Sequence, residues 1–309
     1  MLHLEIIIPA WKEQANIGTL ITSIENQIPH LPKNIKIQQI HLITHDKETG
    51  TVGKNHDKLG LVKHSLVPRS RGGKIASINH GIKNTKADLL IFMDGDIKLN
   101  PDAIIALTNN IVHTPQNTGA VAGRPVSLNS TSNMLGFWAY VLTTAVHKMR
   151  QYNAEHKLPV NLSGNLYAIW KKALPPKLPK GSYDDAFISF WVQANGYIIG
   201  YEPNAKAYQY FPKNYQDWLI QKRRNIKGEY LTKEHIAKYY PELKEKAKHM
   251  RNFKQEVAKF YYTLNTARTA KQWIWLALLY LARLHLWALH IKDRFTDKSQ
   301  DPWKNWKKV

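Results

Sequence analysis

The sequence predicts an α/β fold in which a mostly parallel sheet is flanked by helices. Short apolar runs rich in β-branched residues alternate with helix-like stretches over about residues 1–125. The run LLIFM at 89–93 is apolar throughout, as a strand buried on both faces is. The chain has 309 residues, 43% of them hydrophobic, which is enough for one large domain with an appendage or for two domains.

The first part of the chain supplies strands and helices in alternation. The predicted strands are LEIIIPA, IQQIHLIT and DLLIFMD. The predicted helices are EQANIGTLITSIENQI, with Ile17, Leu20, Ile21 and Ile24 at helical spacing, GKIASINHGIKNT, which follows Gly72 and Gly73, and NPDAIIALTNNIV. In the last of these we expect Asn100 to be the N-cap and Pro101 to take the first helical position.

The second part of the chain is expected to be more helical. Residues 134–156 predict one long helix, and KGSYDDAFISFWVQANGYIIGYEP predicts an acidic turn, a helix that stops at Gly196, and a strand. From about residue 226 onward the pattern indicates basic helices.

The composition indicates an anionic partner. Lys and Arg number 44 against 23 acidic residues, which gives a formal net charge of +21 and a pI near 9.8. A nucleic acid, an anionic membrane surface and a phosphorylated substrate all fit this charge. Because the chain has no cysteine, disulfides, thiolate zinc sites and cysteine nucleophiles are excluded. The start of the sequence has no secretory-signal pattern, and we expect a cytoplasmic protein.

Residues 273–291 form an apolar stretch that carries Arg283, His285 and His290. A central arginine costs about 2.5 to 3.5 kcal/mol in a membrane span, so we expect a helix that lies in the membrane interface. The tail DPWKNWKKV would then place Trp303 and Trp306 at headgroup depth. A spanning helix and a helix packed against its own domain remain the alternatives.

The strand at 89–93 ends at two carboxylates, Asp94 and Asp96, on either side of Gly95. Paired carboxylates at a strand end can share a divalent cation and a sugar hydroxyl, since Mg²⁺ and Mn²⁺ prefer oxygen ligands. A solvated turn that caps the next helix is the structural alternative for so short a motif.

Two further clusters of charged residues favour a functional role for this acidic turn. Arg69, Arg71 and Lys74 surround the two glycines at a predicted helix start, which suits phosphate binding. Asp184 and Asp185 begin another predicted helix, where they either complement the helix dipole or supply a general base. No H-E-x-x-H motif occurs among the 14 histidines, and their single H-x-x-x-H pair, His41 and His45, falls at a predicted strand and not on a helix, which disfavours a zinc site.

These segments, taken in order, resemble the family 2 glycosyltransferases, which are inverting nucleotide-sugar enzymes with the GT-A fold. The matching stretches are IIIPAWKEQANIGTLI, GGKIASINHGI, FMDGDIKLNPDAI, LSGNLYAIWKKAL, YDDAFISFWVQANGYIIGYEPNA and QKRRN. The resemblance implies a GT-A catalytic domain at 1–230, with a nucleotide-sugar half of about 1–125 and an acceptor half of about 126–230. Residues 231–309 would be a basic helical extension that associates with a membrane.

The resemblance also implies a role for individual residues. Asp185 would be the catalytic base and Asp96 the ligand of Mg²⁺ or Mn²⁺. The nucleotide sugar would be bound by Pro9, Ala10, Glu13, Asp46, Lys74, Asp94, Gln221 and Arg224. The acceptor side would comprise Ser163, Gly164, Asn165 and Asp184.

The sequence departs from the family pattern at four places. Asn225 replaces the tryptophan of Q-x-x-R-W, and Asp184 replaces the usual glutamate before Asp185. The stretch THDKE around Asp46 is altered, and Gln209 stands where some relatives have a histidine. Without the tryptophan and several spans that processive synthases have, we expect transfer of a single sugar.

The expected activity is therefore metal-dependent, inverting transfer of one sugar from a nucleoside-diphosphate sugar, with UDP-sugar as the expected donor, to a hydroxyl of a glycan or lipid-linked acceptor. We expect an anionic membrane surface to be a partner through residues 271–309, and no nucleic acid. A nucleotidyltransferase, a basic nucleic-acid-binding protein and a binding module that has lost turnover are the rival interpretations.

Overall fold

The computed structural model describes residues 1–247 and 261–295. The chain divides into two compact units. The first comprises Met1–Pro125 and Arg150–Gln209, and the second comprises Val126–Met149 and Tyr210–Val309. The functional division of the sequence into a catalytic domain at 1–230 and an extension at 231–309 stays a prediction.

The first unit is built on one eight-stranded sheet with the strand order β3-β2-β1-β4-β7-β6-β8-β5. The strands are β1 Leu2–Ala10, β2 Ile35–Thr44, β3 Val62–Leu66, β4 Leu89–Met93, β5 Lys98–Leu99, β6 Thr118–Ser127, β7 Leu166–Trp170 and β8 Ile198–Gln209. All residues of β4 are buried, as its unbroken apolar run predicts. Apolar side chains of β1, β2, β4 and β7 form the main core of this unit with α1 and α4.

Ten helices are assigned within the described residues, besides short 3-10 turns. They are α1 Ile17–Glu25, α2 Lys47–Asn55, α3 Gly73–Asn84, α4 Ala103–His113, α5 Met134–Glu155, α6 Asp184–Ala194, α7 Tyr215–Tyr239, the one-turn helices Lys244–Ala247 and Tyr261–Leu264, and Ala270–Phe295, called the 270–295 helix below. The alternation of strands and helices confirms the α/β class.

The sheet is parallel on one side and contains antiparallel pairs on the other. Strands β3, β2, β1 and β4 are parallel neighbours. The pairs β4–β7, β6–β7 and β5–β8 are antiparallel. Consequently the carboxyl ends of β1, β2 and β4 and the amino end of β7 lie at one edge of the sheet.

Helix α4 begins two residues later than the sequence predicts, after Asp102 rather than Asn100. Asn100 is engaged elsewhere, because its N–H donates to the carbonyl of Lys206 and its side-chain oxygen accepts from the Lys206 N–H at 2.7 Å. The asparagine therefore extends the pairing of β5 with β8 and does not cap the helix.

The second unit is helical in its described part. Its core brings Phe137, Trp138 and Trp218 together with Leu276 and Leu279 of the 270–295 helix. Helix α7 starts at Tyr215, earlier than the sequence predicts, with the side chain of Asn214 accepting from the Asp217 N–H at 2.9 Å. The predictions for 248–260 and for the tail at 296–309 lie outside the described residues.

Candidate active site

Most of the residues singled out in the sequence lie at the edge of the sheet where β1, β2 and β4 end. Pro9 and Ala10 close β1, Asp46 follows β2, and Asp94 follows β4. Met93 pairs with Leu166, and the N–H of Asp94 donates to the carbonyl of Asn165, so the segment before β7 lies beside the acidic turn. Carboxyl ends of parallel strands are where such sheets bind ligands.

Asp46 fixes the turn that follows β1. Its carboxylate accepts from the N–H of Lys12 and from the N–H of Thr49, both at 2.8 Å, and it caps α2. Lys12 has the left-handed φ of 56°, which this anchoring stabilises. Burial by itself would raise the pKa of Asp46, but the hydrogen bonds outweigh it and lower the pKa. The altered THDKE stretch thus retains an ordered carboxylate.

Glu13 is buried beside this turn. Its N–H donates to Oγ1 of Thr49 at 2.9 Å, and its carboxylate accepts from the side chain of Asn16 at 3.0 Å. A Cβ on Gly95 would lie 2.9 Å from the Cβ of Ala10 and 3.2 Å from Cγ of Glu13. The acidic turn can pack against the end of β1 only because residue 95 is glycine.

Lys74 links two of the predicted carboxylates. Its ammonium lies 2.6 Å from Oδ1 of Asp94 and 2.9 Å from Oδ2 of Asp184. Burial by itself would lower the pKa of Lys74, but attraction to Asp184 and Asp94 carries it well above the ordinary value. Burial raises the pKa of Asp94 to about 6 against the opposing effect of Lys74. The lysine stays charged and holds α3, the end of β4 and α6 together.

Asp185 has different partners from Asp184. Its carboxylate accepts from the N–H of Gly164 at 2.9 Å and from the N–H of Ala186 at 2.8 Å. Burial, and after it repulsion from Asp184, raises the pKa of Asp185 to about 7. A carboxylate that gains a proton near neutral pH is suited to general base catalysis.

The segment Ser163–Asn165 lines this group of charges. A Cβ on Gly164 would lie 3.0 Å from Nζ of Lys74 and 3.5 Å from Oδ2 of Asp184. The hydroxyl of Ser163 donates to Oδ1 of Asn165 at 2.6 Å, and the amide of Asn165 donates to Oε1 of Gln209. The predicted acceptor-side segment Ser163–Asn165 therefore lies next to Asp184, the fourth predicted acceptor-side residue, and next to Asp185.

Trp11, Arg150 and Tyr167 also lie in the first unit and were not among the residues predicted from the sequence. The guanidinium of Arg69 lies 3.8 Å from the ring centroid of Trp11, directly after β1. Arg150 is buried and donates to the carbonyl of Gly123 at 3.2 Å. Tyr167 is buried, and its hydroxyl has no hydrogen-bond partner among the described residues. Trp11 belongs to the stretch IIIPAWKEQANIGTLI and could have been predicted from it, whereas a buried tyrosine in an apolar strand such as Tyr167 has no distinguishing sequence pattern.

Burial raises the pKa of Tyr167 well above its ordinary value, and the charges of Asp184, Lys74, Asp185 and Asp94 all act on it. Its ring stacks on Phe92, with centroids 5.1 Å apart. The phenol is therefore within electrostatic reach of the charged group.

Gln221 and Arg224 lie on α7 in the second unit, three residues apart on one helix face. Oε1 of Gln221 and Nε1 of Trp218 are buried, and neither has a hydrogen-bond partner in the described part of the chain. A buried acceptor and a buried donor without partners are costly unless a ligand or water supplies the bond.

A divalent cation fits the acidic turn if most of its ligands come from elsewhere. Asp96 is exposed next to Asp94, and residues 1–247 and 261–295 contain no group of three or more His, Asp or Glu side chains that could hold a metal by themselves. Mg²⁺ is commonly bound by one or two carboxylates together with substrate phosphates and water. The donor set suits an ion that arrives with a diphosphate.

Comparison with known proteins identifies relatives. The chain is 22% identical over 244 residues to the probable glycosyltransferase YdaM of Bacillus subtilis, covering 76% of this chain and 57% of that protein. It is 25% identical over 160 residues to the poly-β-1,6-N-acetyl-D-glucosamine synthase of Staphylococcus aureus, covering 50% of this chain and 38% of the synthase. The chain thus matches less than two thirds of the length of these relatives.

The fold is similar to that of the mannosyltransferase PcManGT from Pyrobaculum calidifontis, with a TM-score of 0.57 and 16% identity over 96% of this chain and 88% of that one. This likeness confirms the GT-A fold. The family model described as "Glycosyltransferase like family 2" matches residues 3–228, most of the sheet and the site residues included. This match favours a glycosyltransferase over the rival interpretations, and the chain belongs to glycosyltransferase family 2.

Proposed function

We propose that this enzyme transfers one sugar, with inversion, from a nucleoside-diphosphate sugar to a hydroxyl of a glycan or lipid-linked acceptor, and that it depends on a divalent metal. The observation that carries the proposal is the arrangement of Asp185. Its carboxylate is held by two N–H groups and has a pKa raised to about 7 by burial and then by Asp184, at the edge of the sheet that carries Asp94 and Asp96.

Asp185 is the base in this proposal. The two N–H donors occupy one position on each carboxylate oxygen, and each oxygen keeps a further acceptor site for the acceptor hydroxyl. As the hydroxyl oxygen forms its bond to the anomeric carbon, its proton passes to Asp185, and the bond from that carbon to the diphosphate oxygen breaks. Inversion follows when attack comes from the face opposite the diphosphate.

Binding of the donor is assigned to the turn after β1 and to the acidic turn. Pro9, Ala10, Glu13 and Asp46 would hold the nucleoside, and Asp94 with Lys74 its ribose and phosphate side. The geometry supports this because Asp46 and Glu13 are ordered by hydrogen bonds and Lys74 is fixed as an ammonium. Gln221, through its side-chain amide N–H groups, and Arg224 would contact the diphosphate. The buried Oε1 of Gln221 would accept from a hydroxyl of the ligand or from water.

Asp96 would hold Mg²⁺ or Mn²⁺ together with the donor diphosphate. When bound, such an ion stabilises the negative charge that develops on the leaving diphosphate. Lys74 adds a fixed positive charge on the same side of the sheet edge, and Asp184 keeps that ammonium in place. Ser163, Gly164 and Asn165 would line the acceptor.

The donor is proposed to be a UDP-sugar that carries a hexose or an N-acetylhexosamine. One relative is named a poly-β-1,6-N-acetyl-D-glucosamine synthase, whereas the similar mannosyltransferase structure is a complex with GDP-Man and Mn²⁺. A donor panel must therefore include both nucleotides. The proposed setting is the cytoplasmic face of a membrane, with an anionic lipid surface contacted through residues 271–309 and no nucleic acid as partner.

The test is donor hydrolysis and transfer with UDP-glucose, UDP-N-acetylglucosamine and GDP-mannose, each with Mg²⁺, Mn²⁺ or a chelator. We expect metal-dependent release of one nucleoside diphosphate, lost in Asp96→Ala. Asp185→Asn should keep donor binding and lose transfer by about 10²- to 10⁴-fold. Asp102→Asn is the matched control, since Asp102 is an exposed carboxylate whose side chain makes no cap hydrogen bond.

Two results would contradict the proposal. If no nucleotide sugar binds or turns over with either ion, the catalytic assignment fails. If Asp185→Asn transfers sugar at the rate of Asp102→Asn, the base lies elsewhere.

A further inference from the structure

The 270–295 helix turns an unusual face to the outside of the second unit. Its exposed side carries Trp273, Ile274, Leu278, Leu281, Leu284 and Ile291, here called the outward stripe. These side chains are 40% to 61% exposed, and four of them at least half exposed. Helices on the surface of soluble proteins usually present polar residues on that side.

Between Trp273 and Ile291, His285 is the polar residue that lies on the same side as the stripe, about 40° around the helix from Leu281. At 3.6 residues per turn, Arg283 lies about 200° around the helix from Leu281. His290 is partly buried, with its ring 5.7 Å from that of Trp287 and 6.4 Å from that of Tyr230. His285 is exposed, but its Nδ1 forms a hydrogen bond of 2.8 Å with the hydroxyl of Tyr215 on α7. Between Trp273 and Ile291 the outward side of the helix is thus apolar apart from His285, whose ring is held by Tyr215.

The opposite side of the helix is packed in the second unit. Leu276, Leu279 and Ala282 are buried in a cluster with Trp138 and Trp218, and the indole N–H of Trp138 donates to the carbonyl of Trp275 at 2.7 Å. The helix is long and apolar enough to cross a membrane by length and composition. Crossing would carry its packed neighbour α7 into the hydrocarbon as well, and α7 bears charged residues along its whole length. The packed arrangement is compatible with a membrane on the outward side only.

Charges favour an anionic bilayer as the occupant of the stripe. Lys271 and Lys292 are exposed at its two ends, and the adjoining sequence 296–309 carries four lysines, two aspartates and two tryptophans. A second copy of the chain would bring another net charge of +21 to the same contact, which opposes self-association, whereas anionic headgroups attract it. Basic residues around an apolar helix face are typical of helices that lie in the membrane interface.

We propose that the outward stripe inserts into one leaflet of an anionic membrane, with the 270–295 helix lying parallel to the surface and its packed side remaining on the protein. This deepens the membrane contact included in the proposed function and does not depend on the transferase chemistry. From Trp273 to Ile291 the stripe is about 27 Å long, so in this orientation it contacts the surface along its entire length. The enzyme would then meet lipid-linked acceptors at the surface that carries them.

The absence of cysteine allows a direct test by site-specific labelling. Ile274→Cys, Leu281→Cys and Ile291→Cys, each carrying a polarity-sensitive fluorophore, are mixed with phosphatidylglycerol vesicles without donor or metal. We expect the emission of the fluorophore to report a less polar environment at all three positions. Quenching by lipids labelled at known positions along the acyl chain should place the three fluorophores at the same depth. Labelled Leu59→Cys is the matched control, because Leu59 is an exposed leucine of the first unit, and it should not change.

Binding constants give the second arm of the test. Leu281→Glu should weaken vesicle binding at least about tenfold, whereas Leu59→Glu should leave it unchanged. Lys271→Gln combined with Lys292→Gln, or replacement of phosphatidylglycerol by phosphatidylcholine, should also weaken it about tenfold or more.

Three outcomes would overturn the inference. A label at 281 that lies deep while those at 274 and 291 lie shallow indicates a spanning helix. An emission shift toward a less polar environment that increases with protein concentration, and not with vesicle concentration, indicates that a second copy of the chain covers the stripe. If Leu281→Glu binds vesicles as tightly as wild type, the stripe does not contact the membrane. Because these measurements omit donor and metal, failure of the transferase assay would leave them interpretable.

Discussion

The ammonium of Lys74 lies 2.9 Å from Oδ2 of Asp184, which connects the first turn of α3 with the first turn of α6. The same ammonium contacts Asp94 at 2.6 Å, so one cation balances two of the carboxylates at the site. Asp185, the next residue along α6, is held by N–H groups instead. Adjacent acids thus have separate environments, one neutralised by a cation and the other titrating near neutral pH.

Replacing Lys74 by methionine should remove the charge that holds this arrangement. Asp94 and Asp184 would face each other without a cation, and the pKa of Asp94 and of Asp185 should rise, since Lys74 lowers both. We expect kcat/KM to fall by about 10²-fold or more in steady-state transfer assays, with weaker donor binding in calorimetry. Lys83→Met, at an exposed position of the same helix, is the control; equal activity of the two variants would refute the role of Lys74.

The pH dependence of transfer should report Asp185. A base must be deprotonated to act, and burial and then repulsion from Asp184 raise the pKa of Asp185 to about 7, so kcat/KM should increase with pH through about 7. Asp184→Asn removes the repulsion, which favours the ionised carboxylate and lowers its pKa. The rising limb of the profile should therefore move to lower pH in this variant. The groups that act on Asp185 also include Lys74, which is charged throughout this range.

A limb that stays in place in Asp184→Asn would contradict this coupling. A limb that disappears in Asp185→Asn, with residual activity independent of pH, would support the assignment to Asp185. Profiles are compared at a fixed saturating metal concentration, so that metal binding does not contribute a slope of its own.

Tyr167→Phe tests whether the buried hydroxyl of Tyr167 contributes to the stability of the fold. The buried hydroxyl has no hydrogen-bond partner among the described residues, so removing it breaks no hydrogen bond within that part of the chain. We expect the free energy of unfolding to stay within about 1 kcal/mol of wild type or to increase, measured by urea denaturation. A loss of several kcal/mol would show that the hydroxyl is bonded in the folded protein. Tyr197→Phe, at a partly exposed tyrosine of the same unit, gives the matched comparison.

The strand ends that carry the acidic residues could be predicted from the sequence, because local patterns determine where the strands end. Unbroken apolar runs predicted the buried strands, and the acids that follow them were expected at strand ends, where Asp94 and Asp96 lie. The pairing of Lys74 with Asp184 joins positions 110 residues apart and has no local pattern. Asn100 shows the converse, since a sound capping signal was outweighed by a cross-strand contact with Lys206.

The 270–295 helix shows a second limit of sequence reasoning. Because it is apolar on nearly every side, its periodicity does not distinguish the face that packs from the face that is exposed. The sequence left interfacial, spanning and internal positions open. The structure shows that Leu279 is packed and Leu281 is exposed, so internal packing describes one side of the helix and leaves the other side open to a partner.

This two-sidedness can be tested with a pair of neighbouring leucines. Leu279 is 1% exposed and packs with Trp138 and Trp218, whereas Leu281 is 60% exposed. Leu279→Ala should lower the free energy of unfolding by about 2 to 5 kcal/mol, because it leaves a cavity among close-packed side chains. Leu281→Ala should change it by no more than about 0.5 kcal/mol. Denaturation followed by tryptophan fluorescence reports on this core directly, since the rings of Trp138 and Trp218 are 5.3 Å apart. Equal destabilisation by both substitutions would mean that the two faces are buried alike in solution, and the outward stripe would then have no free surface to offer a membrane.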